Sequence, residues 1–120
     1  MSELSFLIIN RRAPYASNQA REGLDAALTA AVFEQSVSML FLSDGVYQLL
    51  KEQQPAAIGQ KTLSANLQVL PMYDIDKLYV CAQAMAERNL STDQLVVPVE
   101  LLDKHAINAL IKQQDRVLTF

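Results

Sequence analysis

The sequence has few of the residues that most often carry chemistry. In 120 residues there is one cysteine, Cys81, and one histidine, His105. A single thiol forms no internal disulfide, so nothing here points to an oxidising compartment. With so few soft ligands a metal set cannot be completed, and no metal or cofactor is expected. Glycine is also scarce, three in all. None falls in the stretch 10–19 after the first apolar run. That excludes a G-x-G-x-x-G fingerprint or a Walker A loop there, because a backbone phosphate cradle needs glycine for close approach. Basic clusters are missing, Arg11-Arg12 being the one basic doublet, and the net charge is -3. Direct nucleic-acid binding, which normally leaves a basic stripe, is therefore not expected. No run approaches the ~20 apolar residues of a membrane helix. Glu3 interrupts the N-terminal segment and the apolar run Phe6 to Ile9 is much shorter than a secretory h-region, so no signal peptide is expected. The expected location is the cytoplasm.

About half of the residues are apolar (51%), enough for a single domain over 1–120 with a real core. Leu4 to Ile9 is a short apolar run typical of a buried parallel strand, and Asn10 to Gln19 reads as a loop. From Ala20 to Glu34, Leu24, Ala27, Leu28, Ala31 and Val32 recur at helical spacing. Ser36 to Leu42 is a second strand ending at Ser43-Asp44-Gly45, followed by a short helix, Val46 to Lys51. Gln53 to Gln60 is irregular, and Thr62 to Leu70 reads as a helix stopped by Pro71. Lys77 to Cys81 is a third strand, Ala82 to Arg88 a helix, and Leu95 to Val99 a fourth strand, where Pro98 suits an edge or a strand end. Glu100 to Gln113 is the last helix and Arg116 to Phe120 the last strand. This alternation predicts an α/β, three-layer sandwich: a five-stranded, mostly parallel sheet with helices on both faces. Ligand sites in such sheets lie at the carboxyl ends of the strands, which brings Asp44 and Cys81 to one rim.

Cys81 sits where Leu78-Tyr79-Val80 hands over to a run of helix formers. A helix N-terminus favours a thiolate, the form that attacks sulfur electrophiles, although a lone cysteine also serves as a small buried hydrophobe. Asp44-Gly45 reads first as a turn that caps the following helix. Asp74 and Asp76 precede a strand, at the wrong end for the main crevice, and read as solvated loop charges. His105 reads as a surface residue of the last helix.

Four segments, taken together and in order, carry a family resemblance: Arg21-Glu22-Gly23-Leu24-Asp25-Ala26, Phe41-Leu42-Ser43-Asp44-Gly45-Val46-Tyr47-Gln48-Leu49-Leu50, Met72-Tyr73-Asp74-Ile75-Asp76 and Tyr79-Val80-Cys81-Ala82. With the closing Asp115-Arg116-Val117-Leu118-Thr119-Phe120, the chain resembles the DsrE/DsrF/DsrH-like family, in its TusC/DsrF branch. The resemblance implies a sulfur-relay subunit in a heterohexamer with TusB- and TusD-like homologous chains. Such a complex takes persulfide sulfur from a TusA-like carrier and passes it through a TusE-like one towards 2-thiouridine at the tRNA wobble position. The DsrF-type alternative serves sulfur oxidation. The family's transferring cysteine is assigned to the TusD/DsrE-type chain. The resemblance therefore implies a structural or auxiliary role here, with Cys81 as a persulfide carrier in the alternative. Tyr47, Leu49, Leu50, Met72 and Tyr73 suit subunit interfaces or an ordinary core equally well.

Overall fold

The structure, a computed structural model, describes residues 3–13, 19–50 and 67–120. Within these, the strands β1 (Ser5–Asn10), β2 (Ser36–Phe41), β3 (Lys77–Cys81), β4 (Glu100–Leu102) and β5 (Arg116–Thr119) form one sheet in the order β4-β3-β2-β1-β5. Every neighbouring pair is parallel. The helices are α1 (Gln19–Val32), α2 (Ala82–Glu87) and α3 (Lys104–Lys112), with 3-10 turns at Ser43–Leu49, Leu70–Tyr73 and Thr92–Gln94.

The near-continuous apolar runs of β1 and β2 are what a strand covered on both faces requires. Alternate side chains separate into two cores. Ile8, Val37, Met39, Phe41, Leu78 and Val80 pack with Leu24 and Ala27 of α1, the turn Ser43–Leu49 and Met85 of α2. Leu7, Ile9, Leu40 and Leu102 face the other way and pack against Ile107 of α3, with Leu110 and Ile111 beside it. That i, i+3, i+4 stripe is why a nine-residue helix can cover this face. The sandwich is thus three layers deep, and the thinner layer is α3.

Two boundaries differ from expectation near the fourth strand. β4 is Glu100–Leu102 rather than Leu95 to Val99. Pro98 has no N–H for a ladder, and Leu95 and Val97 are instead buried in the larger core. Leu95 bridges Leu50 in antiparallel fashion, and the Val96 N–H donates to the Leu49 carbonyl at 2.8 Å. The last helix then starts at Lys104, not Glu100, because the Asp103 carboxylate accepts the Ala106 N–H at 2.8 Å as its N-cap.

Other differences are smaller. A 3-10 turn over Ser43–Leu49 stands where a helix over Val46 to Lys51 is expected. Pro71, expected to stop a helix, lies in the first turn of Leu70–Tyr73, where a missing N–H costs nothing. Most of the helix expected over Thr62 to Leu70, and all of the irregular stretch Gln53 to Gln60, lie outside the described residues. α1 closes through Glu34, which takes a left-handed φ of 62° while the Glu34 and Gln35 N–H groups donate to Ala31 and Ala30. At the other edge, Asp115 Oδ2 accepts from the Ser5 N–H (2.8 Å) and hydroxyl (3.1 Å), and Ser5 Oγ accepts the Asp115 N–H (2.9 Å). This clasp aligns β5 beside β1.

Candidate functional site

The carboxyl ends of β1, β2 and β3 converge on one rim. There β3 ends in Cys81, whose extended backbone (φ -69°, ψ 117°) makes it the N-cap of α2. Its Sγ accepts the Ala84 N–H at 3.4 Å, so the helix that follows orients the sulfur. The residue is partly exposed and touches both cores. It opens into a cleft of about 310 Å³, whose apolar floor is Leu42, Ala84 and Ile107 and whose polar rim is Ser43, Gln83, Glu87 and Lys104. Across the rim Gln83 donates from Nε2 to Glu87 Oε2 at 3.3 Å. One ammonium faces one carboxylate, so the cleft has no strong charge preference.

Asp44 reaches the same rim, as expected, but does not line the cleft. Its Oδ1 accepts from Arg88 Nε (3.2 Å) and Nη2 (3.0 Å). The same guanidinium donates from Nη1 to the Ala84 carbonyl at 3.1 Å and lies 5.9 Å from the centre of the Tyr47 ring. Asp44 therefore ties the 3-10 turn to the end of α2. The turn's N-cap is Leu42, with no side-chain cap bond, so Asp44 does not cap as expected. The pair is partly exposed and contributes about 0–1 kcal/mol.

Asn10 is a residue that sequence reasoning placed only as the start of a loop. It is fully buried at the end of β1, and its carbonyl accepts the Leu42 N–H at 2.9 Å. Its side chain donates to the Ile8 carbonyl at 3.3 Å, while Oδ1 has no hydrogen-bond partner among the described residues. Two glycines pack against this position, Gly45 on its backbone and Gly23 on its side chain. A Cβ on Gly45 would lie 2.0 Å from the Asn10 carbonyl oxygen, and one on Gly23 would lie 2.3 Å from Asn10 Oδ1. The signal available in the sequence was a polar residue closing an apolar strand at the carboxyl end.

His105 is exposed on α3 and is not among the cleft's lining residues. Asp74 and Asp76 are exposed before β3, at the opposite end of the sheet. Among the residues proposed for interfaces, Leu49 is fully buried core, Tyr47 and Leu50 are partly buried, and Met72 and Tyr73 are exposed. Among the described residues no helix is long and apolar enough to cross a membrane.

The profile of the DsrE/DsrF-like family matches residues 4–120. A Pseudomonas aeruginosa protein named "Protein TusC homolog" is 47% identical over 115 residues, covering 96% of this chain and 97% of that one. The "Intracellular sulfur oxidation protein DsrF" of Allochromatium vinosum is 35% identical, with both chains covered in full. Among solved structures, the ychN protein from E. coli superposes with a TM-score of 0.85 at 22% identity, over 99% of this chain and 100% of that one. This last likeness is one of fold.

Proposed function

This chain belongs to the DsrE/DsrF-like family, and we propose that it works as a subunit of a TusBCD-type sulfur-relay complex. In this reading the complex passes persulfide sulfur towards 2-thiouridine at the tRNA wobble position. The chain is a structural or auxiliary member of a cytoplasmic heterohexamer with TusB- and TusD-like subunits, supplied by a TusA-like carrier and emptied by a TusE-like one. The observation that carries the reading is the open Cys81 cleft at the carboxyl rim. It is a concave surface with an apolar floor and balanced rim charges, suited to holding part of a neighbouring protein.

A second reading is favoured by one feature of that cleft. Cys81 is partly exposed and its sulfur is held in place by the Ala84 N–H, which is the accessibility a persulfide carrier needs. As a carrier, the Cys81 thiolate would attack the outer sulfur of a donor persulfide. One S–S bond forms at Cys81 as the donor's S–S bond breaks, and the donor thiolate leaves with the electron pair. No external oxidant is needed, and a second thiol removes the sulfur by the same exchange. The likeness to DsrF gives this chemistry an alternative setting in sulfur oxidation.

The test is to incubate the chain with a persulfide donor, alone and with TusB- and TusD-like partners, and to read peptide masses. The auxiliary reading expects no adduct on Cys81 and one added sulfur, about 32 Da, on the partner's cysteine. A stoichiometric, reductant-sensitive adduct on Cys81 that moves to an acceptor thiol would replace it with the carrier reading.

A further inference from the structure

We propose that the amino-terminal pole of the sheet, opposite the Cys81 cleft, is a docking surface for a cationic segment of a partner protein that also presents apolar side chains.

The surface begins where α1 ends. Val32 and Phe33 leave the helix exposed, Phe33 by 70%. α1 packs against the turn Leu70–Tyr73, where Met72 is 82% exposed and Tyr73 is exposed beside it. A methionine and a phenylalanine this open contribute almost nothing to the fold's own core, and large exposed apolar side chains gathered on one surface mark interaction sites. Tyr73 also lines a groove of about 420 Å³. The groove holds the carboxylates of Glu3, Glu34, Asp74 and Asp76 against a single ammonium, Lys77. Among the described residues none of the four carboxylates is held in an ion pair.

The charge distribution selects the occupant. The groove carries a net -3, which equals the net charge of the whole chain, because the remaining nine acidic and nine basic residues cancel. The Tyr79 phenol is pushed above its ordinary range first by burial, then by Glu100 outside the groove, and least by Asp76 within it. A second copy apposed through the same patch would bring -3 against -3, so a symmetric dimer is disfavoured here. A segment with lysine or arginine flanking apolar residues satisfies both halves, its cations in the groove and its apolar side chains on Phe33 and Met72. The four steps of β3 from Lys77 to Cys81 put about 13 Å between this pole and the cysteine. A partner seated here therefore leaves the cleft open. The inference does not rest on the sulfur-relay reading, and its readout involves no sulfur transfer.

The test uses a fluorescent fourteen-residue peptide of lysine and leucine at amphipathic helical spacing, titrated onto the intact chain and followed by anisotropy. The charge variant is Glu34→Asn with Asp74→Asn and Asp76→Asn, since asparagine tolerates the left-handed backbone of Glu34 and Asp74. The apolar variant is Phe33→Ser with Met72→Ser. Cooperative urea transitions with midpoints no lower than the wild type's establish that both fold. We expect binding to weaken about tenfold in the charge variant and about fivefold in the apolar variant. It should weaken several-fold more at high salt, while the rate of Cys81 alkylation is unaffected by bound peptide. Equal binding to the wild type and either variant would overturn the proposal. So would equal affinity for a lysine homopeptide, which would show bulk polycation attraction alone. Self-association abolished by the apolar variant would likewise make the occupant a second copy instead.

Discussion

The two ends of β3 lie in contrasting surroundings. At the carboxyl end, Asn10, Gly23, Gly45 and the turn Ser43–Leu49 are so close that a Cβ on Gly45 would meet the backbone of Asn10 and one on Gly23 its side chain. At the amino end, Phe33 and Met72 stand in solvent and four carboxylates share a groove with one lysine. The fold depends on the first arrangement, because the backbone of β1 and the turn after β2 interlock there. It gains nothing from the second, where apolar area stays wet and like charges repel. The contrast shows which surface features are by-products of folding. Residues at the cysteine rim serve stability and any chemistry at once, whereas the amino pole is free to be shaped by a partner alone.

Substitutions can break this contrast or sharpen it. The largest effect is expected from Gly45→Ala, whose new methyl would meet Asn10 backbone atoms at 2.0 and 2.7 Å. Backbone cannot rotate aside, and a loss of about 3 kcal/mol should appear as a lowered urea midpoint. Gly23→Ala should cost less, about 1 kcal/mol, because it meets a side-chain oxygen and alanine returns about 1 kcal/mol of helix propensity. If the two losses are equal, the tightness of the rim does not come from the Asn10 backbone. At the other pole the sign reverses. Glu34 holds a left-handed backbone at a helix end, where a carboxylate also opposes the helix dipole, so Glu34→Gly should raise stability by about 1 kcal/mol in the same denaturation assay. A loss there would mean that the amino pole is built for the fold after all.

The smallest effect concerns the clasp at the β1–β5 edge. The Ser5 N–H and hydroxyl hold the Asp115 carboxyl below its ordinary range, with a lesser contribution from Arg116. Because the unfolded chain binds that proton more readily, the clasp stabilises fully above about pH 4 and is lost as pH falls through the lowered native value. Asp115→Asn should lower stability slightly at neutral pH, where the clasp is fully formed, and converge on the wild type in acid, which flattens the acid limb of the stability profile. An unaltered acid limb would remove the clasp from the account.

Much of this architecture is legible in the sequence because its central strands β1 and β2 are buried on both faces. The runs Leu4 to Ile9, Ser36 to Leu42 and Lys77 to Cys81 have no other reasonable reading, and the strand-to-helix position of Cys81 follows directly. The run Leu95 to Val99 misleads for a physical reason: its apolar side chains serve the core from outside the sheet, bridged to Leu50. The true boundary was available in Asp103, a helix-capping residue just before Lys104. Within the site, the Arg88–Asp44 pair could not be read, because its partners are 44 residues apart and only the fold brings them together. The same holds for Asn10, whose importance depends on two glycines that local pattern does not connect to it.

The order β4-β3-β2-β1-β5 has a consequence for how the molecule forms. β1 pairs on one side with β2, across the span of α1, and on the other with β5, whose neighbouring clasp joins residues 110 apart. Closing a loop of that length costs roughly 4 kcal/mol beyond a constant, so this edge should be the slow one to seal. Until it does, Phe6, Leu7, Ile8 and Ile9 offer an unpaired parallel edge that another chain's strand could occupy as readily as β5. The Ser5–Asp115 clasp is therefore a latch against strand exchange, and its release in acid would favour assembly errors before it favoured unfolding.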